Sequence, residues 1–459
     1  MSGEIEASRR ITEGVIWKQL LFFFFPIMLG SFFQQLYNTV DTVIVGQFVG
    51  KTALAAVGGS AAQIVSLIVG FFTGLCSGAS VIIAHFFGAR DQVRIGKGLH
   101  NAFVLALAGG IFFTIVGIIF APQMLAGMNT PSETIPEATV YLRIYFAGLT
   151  FAFIYNMGSS ILRAAGDSKT PLYYLIACCF LNIILDILFV VGLKMGVAGA
   201  ALATFLSQVF SAVLVLANMI REKGSLHLSI RKLKVSKDIM KSQLWLGLPT
   251  AFESTLFAIT NIAILSALNT FGTDTVAAWS ALGKMDMIFW IVSTSFGIAI
   301  TSFVGQNYGA GRMDRVKKST KICIGMYTLC AIVISLFLVI GKSALFRLFT
   351  SDERVIEIGC DMLMRIVPWY TLYVFIEVLP GALRGVGDVI GPAIITLVGI
   401  CAMRIIWLVG ALELSPTIGS ILFSYPVTWI LTSLAFIFYY WRKSAGEKVL
   451  LKIKKYIDI

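Results

Sequence analysis

The chain has 459 residues, of which 58% are hydrophobic and only 13% charged, and its mean hydropathy is +0.87. Soluble domains carry about 25% charged residues, so this chain cannot cover its own surface with polar groups and lipid must solvate it. The net charge of +12 invites a nucleic-acid partner, but its distribution along the chain is a topology signal and excludes that reading.

Apolar spans of roughly 20 residues separated by short loops fit about twelve times. They begin near Trp17, Ala53, Asn101, Ala138, Thr170, Val197, Gln243, Val276, Thr320, Glu357, Val389 and Pro416. The alternating pattern of a membrane barrel is absent. Glu4, Glu6 and Glu13 are wrong for a signal n-region and the apolar run from Leu20 is too long for an h-region, so no cleaved leader is expected.

Span 1 contains Pro26, which removes a backbone hydrogen bond and predicts a bend. Further along it, Gln34, Tyr37, Asn38 and Asp41 recur at i, i+3, i+4 and i+7, one polar face of a helix. Span 2 carries Gly70, Gly74 and Gly78, a small-residue ladder suited to close helix packing. Span 5 carries Asn182 and Asp186 at i and i+4, and the adjacent Cys178 and Cys179 fit packing. Asp41 precedes Lys51, and Asp186 precedes Lys194, by ten and eight residues, which puts both carboxylates ~12–15 Å below the outer boundary. Span 6 runs back from Lys194 and reaches Thr204 at a similar depth, with Gln208 one turn deeper.

The chain is then written again. The stretch Leu162 to Pro171 returns as Leu383 to Pro392, and the same shift of 221 residues pairs Gly88 and Ala89 with Gly309 and Ala310. Six spans per copy is an even number, so both copies enter the membrane in the same sense. The predicted fold class is therefore an all-α integral membrane protein with twelve transmembrane helices in two parallel six-helix pseudo-symmetric lobes. The expected divisions are an N-terminal lobe at 1–220, a cytoplasmic linker at 221–241, a C-terminal lobe at 242–441 and a basic cytoplasmic tail at 442–459. The linker is expected to be an amphipathic surface helix or a solvated tether.

Lys and Arg gather in alternate loops: Arg90, Arg94 and Lys97, then Arg163 and Lys169, then the run from Arg221 to Lys241, then Arg312 to Lys321, and finally the tail. The opposite loops hold few. This positive-inside asymmetry places both termini in the cytoplasm of a multi-pass cell-membrane protein.

An intramembrane acid is a functional candidate because a charge in hydrocarbon costs several kcal/mol. Two carboxylates brought to one level cannot both stay ionised comfortably. Such a pair takes up a proton, or holds Na+ with amide and hydroxyl oxygens as further ligands; a static polar knot between spans 1, 5 and 6 is the bland reading. The second copy lacks the pair, since the matching positions fall near Ala263 and at Trp407. Its membrane charges are Glu253, Lys284, Asp286, Glu377 and Arg404. Lys284 and Arg404 are expected to neutralise two of the three acids, or else Glu253 or Glu377 meets a cationic substrate. Tyr37, Tyr141, Tyr145, Met157, Trp369, Tyr370 and Tyr373 offer cation–π or adaptable apolar contact.

Thr12-Glu13-Gly14, Pro26, the run Tyr37 to Thr42, Gly88-Ala89, the Arg163 to Asp167 loop and the Asn182/Asp186 pair resemble the multidrug and toxic compound extrusion (MATE) transporters across nearly the whole chain. The acid of span 1 with the pair of span 5 is similar to the DinF-like branch. The resemblance implies a twelve-helix exporter of cationic, amphipathic drugs driven by Na+ or H+ influx. It implies that Asp41, Asn182, Asp186 and Thr204 form the coupling-ion site, and that Gln34, Tyr37 and Asn156 border the drug cavity. Asn38, Gln63, Tyr141 and Met157 are further candidates for substrate contact. In the NorM-like branch paired acids of helices 7 and 10 carry the ion; Glu253 and Glu377 lie on those spans without a clear match to that motif.

No cofactor is expected beyond the coupling ion, H+ or Na+, and no other metal; His85, His100 and His227 lie far apart. The expected partners are a small cationic or amphipathic substrate and membrane lipid, with the protein a monomer. The rival from the same superfamily, a flippase of lipid-linked precursors, needs a cavity lined with Arg and Lys. An enzyme needs a clustered nucleophile, base or metal set, which the sequence does not offer.

Overall fold

The computed structural model describes residues 11–229 and 234–445. Arg231, Lys232 and most of the basic tail lie outside that range, so the tail expectation is not addressed. Lipid offers no partner for a free backbone N–H or C=O, which leaves helices as the way for such spans to satisfy their own backbone. Among the described residues twelve helices have the length and composition to cross a membrane. They are α1 (Ile16–Phe48), α2 (Lys51–Gly88), α3 (Gln92–Gly127), α4 (Ile135–Ala164), α5 (Lys169–Gly192), α6 (Gly196–Arg221), α7 (Lys237–Asn269), α8 (Met287–Gly309), α9 (Met313–Arg347), α10 (Glu353–Gly385), α11 (Ile390–Leu414) and α12 (Ile418–Lys443). A shorter helix, Thr273–Met285, leads into α8. Pro26 and Pro249 lie inside continuous helices.

The chain forms two compact units. The first holds Phe22–Ala251 and the second holds Val15–Leu21 and the described residues from Phe252 on. The division therefore falls inside α7 and not in the 221–241 segment. Helix packing explains why. Gly78 abuts the backbone of Gly247 and Gln243, and Gly74 that of Ala251 and Thr250, so a side chain at either would collide with α7. Gln243 also donates to the Gly98 carbonyl at 2.9 Å. Gly74 and Gly78 of the small-residue ladder thus lock the first turns of α7 into the first unit.

Residues 222–229, directly after α6, take neither of the forms expected for the linker. Over residues 222–229 the described chain is not helical, and Leu226 and Leu228 are buried. The Leu228 N–H donates to Met219 O at 2.9 Å, and Ser229 N–H donates to His100 Nε2 at 3.2 Å. Two leucines at i and i+2 anchor it to its own unit.

Each unit repeats one packing scheme. In the first, α4 is central and packs on α2, α3 and α6; in the second, α10 packs on α8, α9 and α12. The duplicated loop motif also keeps its backbone: Gly166 and Gly387 have φ of 97° and 91°, a conformation that side-chain-bearing residues rarely adopt.

Helix α4 carries two stripes that differ by one residue. Leu142, Phe146, Leu149, Phe153 and Met157 are fully buried. Phe146 lies against Gly117, and Phe153 stacks on Phe72 with ring centroids 3.6 Å apart. The neighbouring positions Tyr145, Ala152 and Asn156 instead face a cavity. That one-residue step decides which side chains of α4 meet the interior space.

Candidate functional site

Three helices of the first unit bring the expected acid couple together. Asp41 of α1, Asn182 and Asp186 of α5 and Thr204 of α6 are all buried, at 8%, 1%, 0% and 4% exposure. The Asp41 carboxyl has Asp186, Asn182 and Thr204 as its polar neighbours. The Thr204 hydroxyl lies 3.3 Å from Asp41 Oδ2 and 3.1 Å from its own helix carbonyl at Ala200; its single hydrogen serves one of them at a time.

Donors are otherwise scarce. Asp41 Oδ1, both carboxylate oxygens of Asp186 and both amide atoms of Asn182 have no hydrogen-bond partner among the described groups. Buried polar atoms are nearly always paired, and an isolated buried acceptor costs about 1–3 kcal/mol. Several acceptors converging with little to donate to them is an arrangement completed by a proton or a small cation. Immediately after Asp186, helix α5 widens into a π-helical turn, Ile187–Gly192, a distortion frequent beside functional residues.

A cavity of about 80 Å³ adjoins the couple, with Asn182 and Thr204 in its wall. Gln34, Tyr37 and Asn156 line it too. The remaining substrate candidates do not: Asn38 is exposed and Gln63 half-buried, Met157 is fully buried in the α4 core, and Tyr141 is buried with its ring 6.1 Å from that of Tyr145. Tyr145, Tyr155, Ser207, Gln208 and Ser211 line the cavity as well. Ser207 and Ser211 carried a signal, since Thr204, Ser207, Gln208 and Ser211 recur at i, i+3, i+4 and i+7. Ser207 Oγ and Gln208 Oε1 are also without partners. The Gln208 amide occupies the space over Gly148.

The second unit disposes its charges differently from the expectation. Glu253 pairs with Arg384, Nη1 to Oε2 at 3.4 Å, both side chains 15% exposed. Arg384 lies in the last turn of α10, which carries it to α7. Lys284 is exposed and forms no ion pair among the described residues. Arg404, 1% exposed, meets no carboxylate either: its guanidinium lies 4.1 Å from the Tyr425 ring centroid and donates to Thr428 Oγ1 at 3.1 Å. Asp286, at the break before α8, accepts from Trp290 Nε1 at 3.0 Å and from the Tyr370 hydroxyl at 2.8 Å. The Glu377 carboxyl sits over Gly297. The neutralisation of these acids by Lys284 and Arg404 is therefore not found; Arg384 and neutral donors serve Glu253 and Asp286. No group of three or more His, Cys, Asp or Glu residues that could hold a metal occurs among the described residues.

The sequence profile of the MatE family matches residues 26–188 and 249–409, one match in each copy of the repeat. The probable multidrug resistance protein YpnP of Bacillus subtilis is 32% identical over 397 residues, covering 86% of this chain and 88% of that protein. YoeA of the same organism, also described as a probable multidrug resistance protein, is 26% identical over 88% of this chain and 89% of its own length. Among solved structures, a MOP superfamily transporter from Pyrococcus furiosus superposes with a TM-score of 0.89 at 22% identity, over 96% of this chain and 98% of that one. Duplicated family matches, twelve spans and the shared fold converge: the chain belongs to the MATE family, multi-pass membrane transporters and not enzymes.

Proposed function

We propose that the protein is a cation-coupled antiporter that exports cationic, amphipathic drugs or metabolites by alternating access, with Asp41, Asn182, Asp186 and Thr204 as the coupling site, as in the DinF-like branch. The observation that carries this is the convergence of unpartnered buried oxygens of Asp41, Asn182 and Asp186 at the edge of a cavity walled by phenol, amide and hydroxyl groups. H+ or Na+ entering from outside neutralises the couple and favours loss of substrate to the exterior; its release to the cytoplasm resets the pair. The basic loops then face the cytoplasm, with both termini, in the cell membrane. The names of the Bacillus relatives, probable multidrug resistance proteins, support drug export. A flippase of anionic lipid precursors is disfavoured because neither Lys nor Arg lines the cavity.

The test is exchange in proteoliposomes. A labelled organic cation inside should leave against its gradient when Na+ or acid is imposed outside, and stay when neither gradient is present. Export indifferent to both ions would refute the coupling reading.

A further inference from the structure

On its side away from α2 and α3, the start of α7 carries a groove of about 420 Å³ lined by Lys237, Met240, Lys241, Leu244, Trp245 and Leu248. The opposite side of the same turns is packed, with Ile239, Gln243 and Leu246 buried. The groove is also held in shape from α3. Asn101 grips the residue before the helix in both directions, donating to Ser236 O at 2.7 Å and accepting from Ser236 N–H at 2.9 Å.

The chemistry of the groove is divided along its length. Lys237 and Lys241, one turn apart, are exposed at its upper end and form no ion pair among the described residues. Asp238, the acid of that turn, projects about 100° around the helix from Lys237. Trp245, 60% exposed, and Leu248, 37% exposed, continue the line below. The helix has 33 residues, ~50 Å of length, against about 40–45 Å for a bilayer with its headgroups. Its first turn therefore reaches the headgroup layer, and Leu248 lies ~10 Å deeper than Lys241.

We propose that this groove binds an anionic glycerophospholipid: the two ammonium groups hold the phosphate, the Trp245 indole lies at the glycerol ester level and an acyl chain follows Met240, Leu244 and Leu248. The argument for this occupant is charge complementarity; a zwitterionic lipid brings its own cation to the lysines and gains little. Two lysines at a membrane surface give about a thirtyfold preference for the anionic headgroup. The inference needs the chain to be embedded in lipid but not the coupling mechanism, so the two fail separately.

The experiment uses the full chain with brominated lipids as quenchers of tryptophan fluorescence. Subtracting the signal of Trp245→Phe from wild type isolates Trp245 among the 8 tryptophans. Brominated phosphatidylglycerol should quench it at about one-thirtieth the mole fraction needed with brominated phosphatidylcholine. In the Lys237→Gln/Lys241→Gln variant the two lipids should become equivalent, with the thermal melt unchanged because both side chains are exposed. Equal quenching by the two lipids in wild type, no quenching by either, or a preference that survives the double substitution would each overturn the proposal.

Discussion

Asp41→Asn separates the coupling role of the acid pair from its structural role. Asn keeps the shape and the acceptor that meets Thr204, removes the charge and the exchangeable proton, and adds an N–H₂ facing Asp186. Two oxygens of Asp186 have no donor in the native arrangement, and satisfying one offsets up to about 1–3 kcal/mol. The variant should therefore insert normally and melt at or above the wild-type temperature. Its transport should change in kind. For one coupling ion per monovalent cation the exchange is electroneutral, and a tenfold ion gradient, about 1.4 kcal/mol, sustains up to a tenfold substrate gradient. Asp41→Asn should hold that ratio at unity while still binding substrate. The assay is accumulation of a labelled organic cation in proteoliposomes under imposed Na+ or pH gradients, with a thermal melt of the same preparation. Ion-driven accumulation at wild-type level would refute the reasoning, and so would a variant that fails to fold, since the pair would then be a structural knot.

The stripes of α4 predict opposite outcomes at adjacent positions. Met157→Ala should cost about 2–5 kcal/mol of stability, as for a buried Met elsewhere, and leave substrate affinity unchanged; Asn156→Ala should weaken substrate binding with little effect on melting, and the two are compared by melts and binding titrations. Arg384→Met should destabilise by about 3–5 kcal/mol because Glu253 is left buried and unpaired, and Glu253→Gln added to it should recover most of the loss, a double-mutant cycle that reads near zero if the pair does not interact. Gly78→Val should abolish stable expression because Gly247 and Gln243 backbone occupies that space, whereas Gly96→Ala, which meets nothing within 4 Å, should be silent.

Helix existence was legible from residue order because it rests on local physics. In hydrocarbon each span must satisfy its own backbone, so length and hydropathy suffice to locate twelve helices among the described residues. The polar faces of α1, α5 and α6 were legible for the same reason: Asp41, Asn182, Asp186 and Thr204 meet because spacing along a helix and distance from the connecting loops set both direction and depth. The duplication, visible in the shift of 221 residues, carries over into the same packing around α4 and α10.

Tertiary structure decided what depends on rotation and on distant neighbours. Asn156 and Met157 differ by one residue, and only the packing of Phe146 and Phe153 settles which of them meets the cavity. Arg384 and Glu253 lie 131 positions apart, so nothing local announced their pairing, and Arg404 rests on Tyr425 and Thr428 where an acid was expected. The join between the copies likewise depended on glycines of α2 meeting the backbone of α7. Periodicity is a property of one helix, whereas a side-chain partner is fixed by the closest approach of two.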